Sequence, residues 1–492
     1  MKKTESICPE CLKKIETKVV KKEDKVILHK KCEKHGTFTA IHWQSSKIYG
    51  FVEKFDLFKH YNSKVNLDDP NNCPYACGLC SDHLSKTVIA VIDLTKRCDL
   101  FCPICFASFQ EYESNYEPDK QEIFKMLKFL SQLDPKPPAV LFSGGEPLLR
   151  DDLDEIIRFA HGLGFLTILA TNGIRIARQQ DLAVKLKKSG LNIVYLQFDS
   201  VGNEIYEKLR GKRLLEEKLA VIELCRKYDI EVILVPTLIR GINNDEIGRI
   251  IRFAAENSDI IRGVVFQPIA FTGRASDNSL INEWTDNAFA EEVEEQTSRE
   301  IKAEDLFPLS IMSPPIMVMR RFMKKPWPLF SCSPHCGIVN WVYVSKDGHL
   351  IPLNRLLNFG KFFGAIFKLS ESVESKGKLQ ILLTLLFAAL KSLNWNLVRK
   401  EMGIFNFFKT VLRVHVSPTY RSLGNLRRRI FLLGCMAFMD RYNFDINRVR
   451  RCVIHYVTPD LRIIPFCAYN NIYRTQIEAE YAKKPIKVPV KR

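Results

Sequence analysis

Thr87-Val-Ile-Ala-Val-Ile-Asp-Leu-Thr-Lys-Arg-Cys98-Asp-Leu-Phe-Cys102-Pro-Ile-Cys105 decides how this chain is read. Its first half is an apolar, β-branched run with the composition of a buried strand. Its second half places three cysteines, spaced x3 and x2, on one short loop. Three thiolates so arranged can hold three irons of a 4Fe–4S cube. Such clusters are ordinarily held by four thiolates, so the fourth iron is left open to a substrate or cofactor. Three ordinary thiols, or a zinc site lacking one ligand, are the plainer alternatives. Against them stands Ser143-Gly144-Gly145-Glu146-Pro147, which ends another β-like run, Ala139 to Phe142.

Outward from this stretch, residues 86 to 300 alternate two patterns. Strands are expected at Thr87–Leu94, Ala139–Phe142, Leu166–Ala170, Ile193–Phe198, Glu231–Thr237 and Gly263–Pro268. Amphipathic helices are expected at Gln121–Leu133, Leu153–Leu163, Gln180–Ser189, Arg213–Lys227 and Asp245–Glu256. Near-continuous apolar strands separated by helices predict an α/β fold with a parallel sheet. In barrels of this kind the chemistry sits at the C-terminal strand ends. The cysteine loop and the Gly-Gly-Glu turn fall there, as do Thr171, Asn172, Asp199 and Ser200. Gln197 and Gln267 lie within or near the ends of their strands.

The cysteine spacing and the Gly-Gly-Glu-Pro turn together resemble the signature of the radical S-adenosylmethionine (SAM) superfamily. The resemblance implies a partial (β/α)6 TIM-like barrel, here flanked by N- and C-terminal metal-binding modules. It implies that Cys98, Cys102 and Cys105 hold a 4Fe–4S cluster whose open iron takes SAM. Gly144, Gly145 and Glu146 would hold the SAM amino group, and Thr171, Asn172, Asp199 and Ser200 would contact its methionine or ribose. Each of these later residues taken singly also reads as a strand-end cap. One position departs from the pattern: the residue before the third cysteine is Ile104 rather than an aromatic, with Phe106 following.

A chain of 492 residues predicts two or three domains. The boundaries expected are 1–84 for an N-terminal metal module, 85–305 for the barrel and 306–492 for a C-terminal iron–sulfur domain. In the first, Cys8-x2-Cys11 and Cys32-x2-His35 make a tetrahedral site for zinc or a single rubredoxin-like iron. Cys73-x3-Cys77-x2-Cys80 repeats the loop spacing, with His83 nearby. Of fifteen cysteines, Cys225 falls inside an amphipathic helix and reads as core. Cys73, Cys77, Cys80, Cys332, Cys336, Cys435, Cys452 and Cys467 remain, enough for two fully ligated clusters whose pairing the count does not give.

The chain carries 73 basic and 56 acidic residues, a formal charge of +17, which calls for an anionic partner or reflects a generic basic surface. The N-terminus shows no apolar signal segment, so a cytoplasmic location with cysteines as metal ligands is expected. An insertion at about 360–412 is apolar and interleaved with lysines: Phe362 to Phe367, Leu379 to Leu390 and Phe405 to Phe408. Its runs are too short to cross a bilayer. They suit helices lying at the inner membrane surface, a groove for an apolar chain, or a small helical core.

Four segments together resemble the archaeal radical SAM tetraether lipid synthases: the N-terminal Cys/His pairs, Asn72 to Cys80, the Cys98 loop, and Gly434-Cys435-Met436 through Ile464-Pro465-Phe466-Cys467. That resemblance implies an anionic isoprenoid phospholipid substrate, three 4Fe–4S clusters and one mononuclear metal. It implies C–C coupling of terminal methyl carbons through two hydrogen abstractions, fed by a low-potential electron donor that the sequence does not name. Members of the family are also named as methylases of a methanopterin precursor, which is the alternative function. A non-catalytic, metal-stabilised nucleic-acid-binding protein leaves the three-cysteine loop unexplained, so no nucleic-acid partner is expected.

Overall fold

The computed structural model describes residues 2–56, 72–78, 80, 83–107, 115–275, 286–323, 326–401, 403 and 426–483. The apolar runs of the central region become β5 (Ile89–Asp93), β6 (Ala139–Ser143), β7 (Leu166–Thr171), β8 (Ile193–Gln197), β9 (Glu231–Val235) and β10 (Ile261–Pro268), numbered after the four strands of the N-terminal ribbon given below. They pair in parallel and in sequence order. Ala90, Ile92, Val140, Phe142, Leu169, Val194, Leu196, Val232, Leu234 and Phe266 are fully buried. Each of these side chains except Ala90 contributes about 1.5–3 kcal/mol relative to exposure.

Helices Lys120–Ser131, Leu153–Gly162, Gln180–Lys188, Leu215–Tyr228 and Ile247–Glu256 separate the strands. Their starts are legible: Asp119 and Glu122 form a reciprocal capping box at the first. Their apolar stripes face the sheet, as Ile247, Ile250, Ile251 and Ala254 do in the last.

The sheet does not stop at residue 305. β12 (Ile430–Met436) adds parallel to β10, and β11 (Gly337–Val344) adds antiparallel to β12. On the opposite edge β13 (Ile454–Val457) pairs in parallel with β5, and β14 (Ile463–Pro465) pairs antiparallel with β13. The C-terminal third therefore supplies both flanks of the barrel sheet.

The N-terminal ribbon is a four-stranded antiparallel sheet, β1 (Lys2–Ile7), β2 (Lys14–Lys22), β3 (Lys25–Cys32) and β4 (Gly36–Trp43). It docks on the far end of the chain: Thr4 Oγ1 donates to Asp445 Oδ1 at 2.8 Å, and Ser6 Oγ donates to the Phe444 carbonyl.

The insertion forms helices Phe359–Glu371, Lys378–Ser392 and Trp395–Glu401. Val318, from the helix Ser313–Met323, packs with Ile366, Leu369, Val373 and Ile381 into a small separate core. Of the three expectations for this segment, the small helical core is the one the fold realises, with Leu379, Leu383, Leu386 and Phe387 left exposed. The run Phe405 to Phe408 lies outside the described residues. Among the described residues no helix is long and apolar enough to cross a membrane.

Candidate active site and metal centres

The Gly-Gly-Glu turn and the cysteine loop are built against each other. The Gly145 N–H donates to the Thr95 carbonyl and the Glu146 N–H to the Arg97 carbonyl, both at 2.7 Å. A Cβ on Gly145 would stand 2.2 Å from the Arg97 oxygen, and one on Gly144, at φ +132°, would stand 2.4 Å from the Thr95 oxygen. Only glycine admits this approach. From the other side, Arg274 donates its amide to the Cys105 carbonyl at 2.9 Å and its guanidinium to the Cys102 carbonyl at 2.6 Å. The loop carrying Cys98, Cys102 and Cys105 is thus clamped between the exits of β6 and β10.

Beneath it lies a closed polar network. Glu146 is fully buried; it accepts Thr171 Oγ1 at 2.7 Å, the Asn172 N–H at 2.8 Å and the Leu148 N–H at 3.1 Å. Burial pushes its carboxyl up to about 7. Asn172 Nδ2 reaches Asp99 Oδ1 at 2.7 Å, tying the turn after β7 to the cysteine loop. Gln267 Nε2 meets the Tyr195 hydroxyl at 3.0 Å.

Two residues expected to contact the ligand are bonded within the fold. Asp199 is fully buried and engaged through both oxygens: by Arg210 at 2.8 and 2.7 Å, by the Thr237 N–H at 3.0 Å and by Gln197 Nε2 at 3.1 Å. Ser200 donates its hydroxyl to Glu246 Oε2 at 2.7 Å and accepts the Gly202 N–H. Both brace the strand end through partners within the fold. Two cations went unread in the sequence. Lys218, fully buried, donates to the Asn172 carbonyl at 2.5 Å and Gln197 Oε1 at 3.3 Å, and burial lowers it to about 8. Arg210 is the other. A lysine and an arginine on amphipathic helices carry no sequence mark that distinguishes them from solvated charges.

A second group of thiols meets between the two flanks of the sheet. Cys332, Cys336, Cys452 and Cys467 line one apolar pocket with Met436, Phe438, Val453 and Phe466. Burial pushes the Cys332, Cys452 and Cys467 thiols up, Cys467 to about 11. Four soft donors converging in an apolar cavity fit a fully ligated iron–sulfur cluster. Cys435 is not among them. It sits on β12 in the barrel core, fully buried with Phe266, Ile338 and Leu433, because successive side chains alternate faces and Met436 takes the pocket side. The count of eight for two four-thiolate clusters therefore resolves as four in the pocket, Cys435 in the core, and Cys73, Cys77 and Cys80 together. Cys77 is buried beside Cys73 and Cys80, and its N–H donates to the Tyr473 hydroxyl at 3.1 Å. The His83 N–H donates to the Cys80 carbonyl at 2.9 Å, and its Nε2 lies 2.9 Å from the Cys452 carbonyl and 3.0 Å from His455 Nε2.

In the ribbon, one ligand atom each from Cys8, Cys11, Cys32 and His35 lie within 4.8 Å of one another. His35 Nδ1 is 3.6 Å from Cys8 Sγ and 3.7 Å from Cys32 Sγ. Leu12 and Gly36, at φ 60° and 77°, close the two turns. The His35 and Lys34 backbone N–H groups point at Cys32 and bring its thiol down to about 6, which favours the thiolate that a metal needs.

Comparison with known proteins agrees with this geometry. The radical SAM superfamily matches residues 92–254, and the "HMPTM N-terminal zinc ribbon domain" matches residues 1–44. The 7,8-dihydro-6-hydroxymethylpterin dimethyltransferase of Methanocaldococcus jannaschii is 41% identical over 490 residues, covering 98% of this chain and 96% of that one. The Fe-coproporphyrin III synthase of Methanosarcina barkeri is 31% identical over 240 residues, 48% of this chain and 56% of that one. Among solved structures, Streptococcus suis SuiB bound to S-adenosylmethionine matches at 18% identity and a TM-score of 0.37, covering 44% of this chain and 48% of that one. The end-to-end relative overturns the expected tetraether lipid synthesis, isoprenoid phospholipid substrate and membrane partner, since that relative is named for a pterin. The apolar insertion, which suggested them, has a packed core of its own. With its SAM-type barrel and N-terminal zinc ribbon, this chain belongs to the radical SAM superfamily and, within it, to the family of that pterin dimethyltransferase.

Proposed function

We propose that this chain is a radical SAM methyltransferase acting on a reduced pterin of the 7,8-dihydro-6-hydroxymethylpterin type. The observation that carries the reading is the similarity to the named dimethyltransferase across ribbon, barrel and C-terminal strands alike. In this reading Cys98, Cys102 and Cys105 hold the SAM cluster. The Gly145 and Glu146 N–H groups are given to the cysteine loop and the Glu146 carbonyl accepts the Leu149 N–H, so the Gly144 and Gly145 carbonyl oxygens serve as acceptors for the SAM amino group. When bound, cluster and SAM supply one-electron C–S cleavage and hydrogen abstraction from unactivated carbon.

The chain's own residues orient and enclose. Glu146, held by three donors, fixes the turn. Phe106 leans on Phe438 and Phe466 at 5.8 and 5.6 Å, and those two stack at 4.3 Å. This aromatic wall stands between the cysteine loop and the four-thiol pocket, and a planar heterocycle suits it. Cys332, Cys336, Cys452 and Cys467 would hold a second 4Fe–4S cluster and Cys73, Cys77 and Cys80 a third, with one mononuclear metal at Cys8, Cys11, Cys32 and His35. Residues 1–84 then serve as the metal module, 85–305 as the catalytic barrel and 306–492 as the auxiliary-cluster region.

The test is anaerobic incubation of the reconstituted full chain with SAM, dithionite and 7,8-dihydro-6-hydroxymethylpterin, followed by mass spectrometry. Gain of one or two methyl groups on the pterin is expected. Formation of 5′-deoxyadenosine with the pterin unchanged would overturn the substrate assignment.

A further inference from the structure

We propose that Arg210 is a positioning residue for the SAM-cluster loop: pinned by Asp199, it presents a positive charge to the loop and an N–H donor to the Ile104 carbonyl, between Cys102 and Cys105, and so raises the potential at which that cluster accepts an electron. This rests on the assignment of Cys98, Cys102 and Cys105 as the cluster's ligands.

Arg210 is the last residue of the helix Asn203–Arg210, which stops at Gly211 in the left-handed region at φ 74°. Its side chain returns inward and is 8% exposed, against a fully buried Asp199. Nε and Nη2 form a bidentate pair with Asp199 at 2.8 and 2.7 Å, and Nη2 also reaches Thr237 Oγ1 at 3.0 Å. These bonds fix the planar fork, as a lysine could not. The remaining nitrogen, Nη1, is thereby aimed at the cysteine loop, 3.4 Å from the carbonyl of Ile104, between Cys102 and Cys105.

The physical consequence follows from charge. Reduction adds one negative charge to the cluster, supplied here by a one-electron donor such as dithionite. A fixed cation beside the ligand loop stabilises the reduced form more than the oxidised one. Asp199 neutralises the pair overall but sits on the Nε and Nη2 side of the guanidinium, away from Nη1, so its field at the loop is the weaker.

The experiment compares the anaerobically reconstituted full chain with Arg210→Lys and with the neutral pair Arg210→Gln/Asp199→Asn. Iron per chain is counted, and the cluster whose paramagnetic signal changes on adding SAM is titrated against ambient potential. The neutral pair is expected to keep its iron and, at a fixed potential, to show a reduced-to-oxidised ratio about tenfold lower, or about 59 mV for one electron. Arg210→Lys should fall between it and the natural chain. Unchanged midpoints at equal iron would overturn the proposal. If the neutral pair fails to hold iron, Arg210→Lys decides alone, a lower midpoint supporting the proposal and an unchanged one overturning it. Absence of any SAM-sensitive signal in the natural chain would overturn the ligand assignment as well.

Discussion

Gly145 shows how little room the site leaves at the scale of one residue. A methyl group there would overlap the Arg97 carbonyl, and main chain borders it. Gly145→Ala is therefore expected to push the cysteine loop outward at a cost of about 1–3 kcal/mol and to lower cluster iron, read as iron per chain and visible absorbance. Glu146 gives a pH signature in the metal-free protein. Its native carboxyl titrates near 7 against an ordinary 4.5, so the native state binds the extra proton and stability falls as pH rises from about 4.5 to 7. Subtracting the unfolding profile of Glu146→Gln should expose this loss, at most about 1.4 kcal/mol per pH unit; a flat difference would contradict the buried-carboxylate account. The glycines, Glu146 and the three cysteines were legible in the sequence because motif spacing encodes local turn geometry. Arg210 and Lys218 were not, since their partners Asp199 and Gln197 are set by three-dimensional packing rather than by spacing.

At the scale of elements, the ribbon and the C-terminal helix make separate predictions. Chelation of the metal from Cys8, Cys11, Cys32 and His35 should unfold residues 2–43 selectively, because their strands close on that site; limited proteolysis of the chelated protein checks this. In the helix Arg474–Glu480, Arg474 donates to Asp93 Oδ2 and Glu478 Oε1, both at 2.8 Å, and Lys96 bonds Glu478 at the same distance. All four side chains are nearly excluded from water. Arg474→Met should cost about 3–5 kcal/mol by stranding the Asp93 carboxylate, while Glu478 keeps Lys96, seen as a lowered thermal midpoint. The strands and helices expected for the central region lie within a residue or two of those observed, since period and capping are local signals, but the short helices Ile174–Arg178 and Asn203–Arg210 were not read. The insertion was not: apolar runs flanked by lysines satisfy a membrane face and a small helix–helix core equally, and only the contacts of Ile366, Leu369 and Ile381 with Val318 distinguish them.

For the whole molecule, the cysteine count gave a number and the topology gave the partners. Cys332 and Cys336 precede β11, Cys452 precedes β13 and Cys467 follows β14, so the four-thiol pocket bridges the opposite flanks of the sheet. Cys452→Ser is expected to remove about one cluster's worth of iron, whereas Cys435→Ser should leave the iron count unchanged; the reverse outcome would refute the pairing. Sequence order could not show this, because β12 and β13, neighbours in the chain, lie on opposite sides of six intervening strands.

The docking of β1 on Phe444 and Asp445 spans more than four hundred positions of sequence. That many residues must leave the ribosome before the first strand can meet its seat. The six central parallel strands likewise keep open edges until Ile430–Met436 and Ile454–Val457 have been made, so closure of the barrel sheet and seating of the ribbon both wait on the same late stretch of chain.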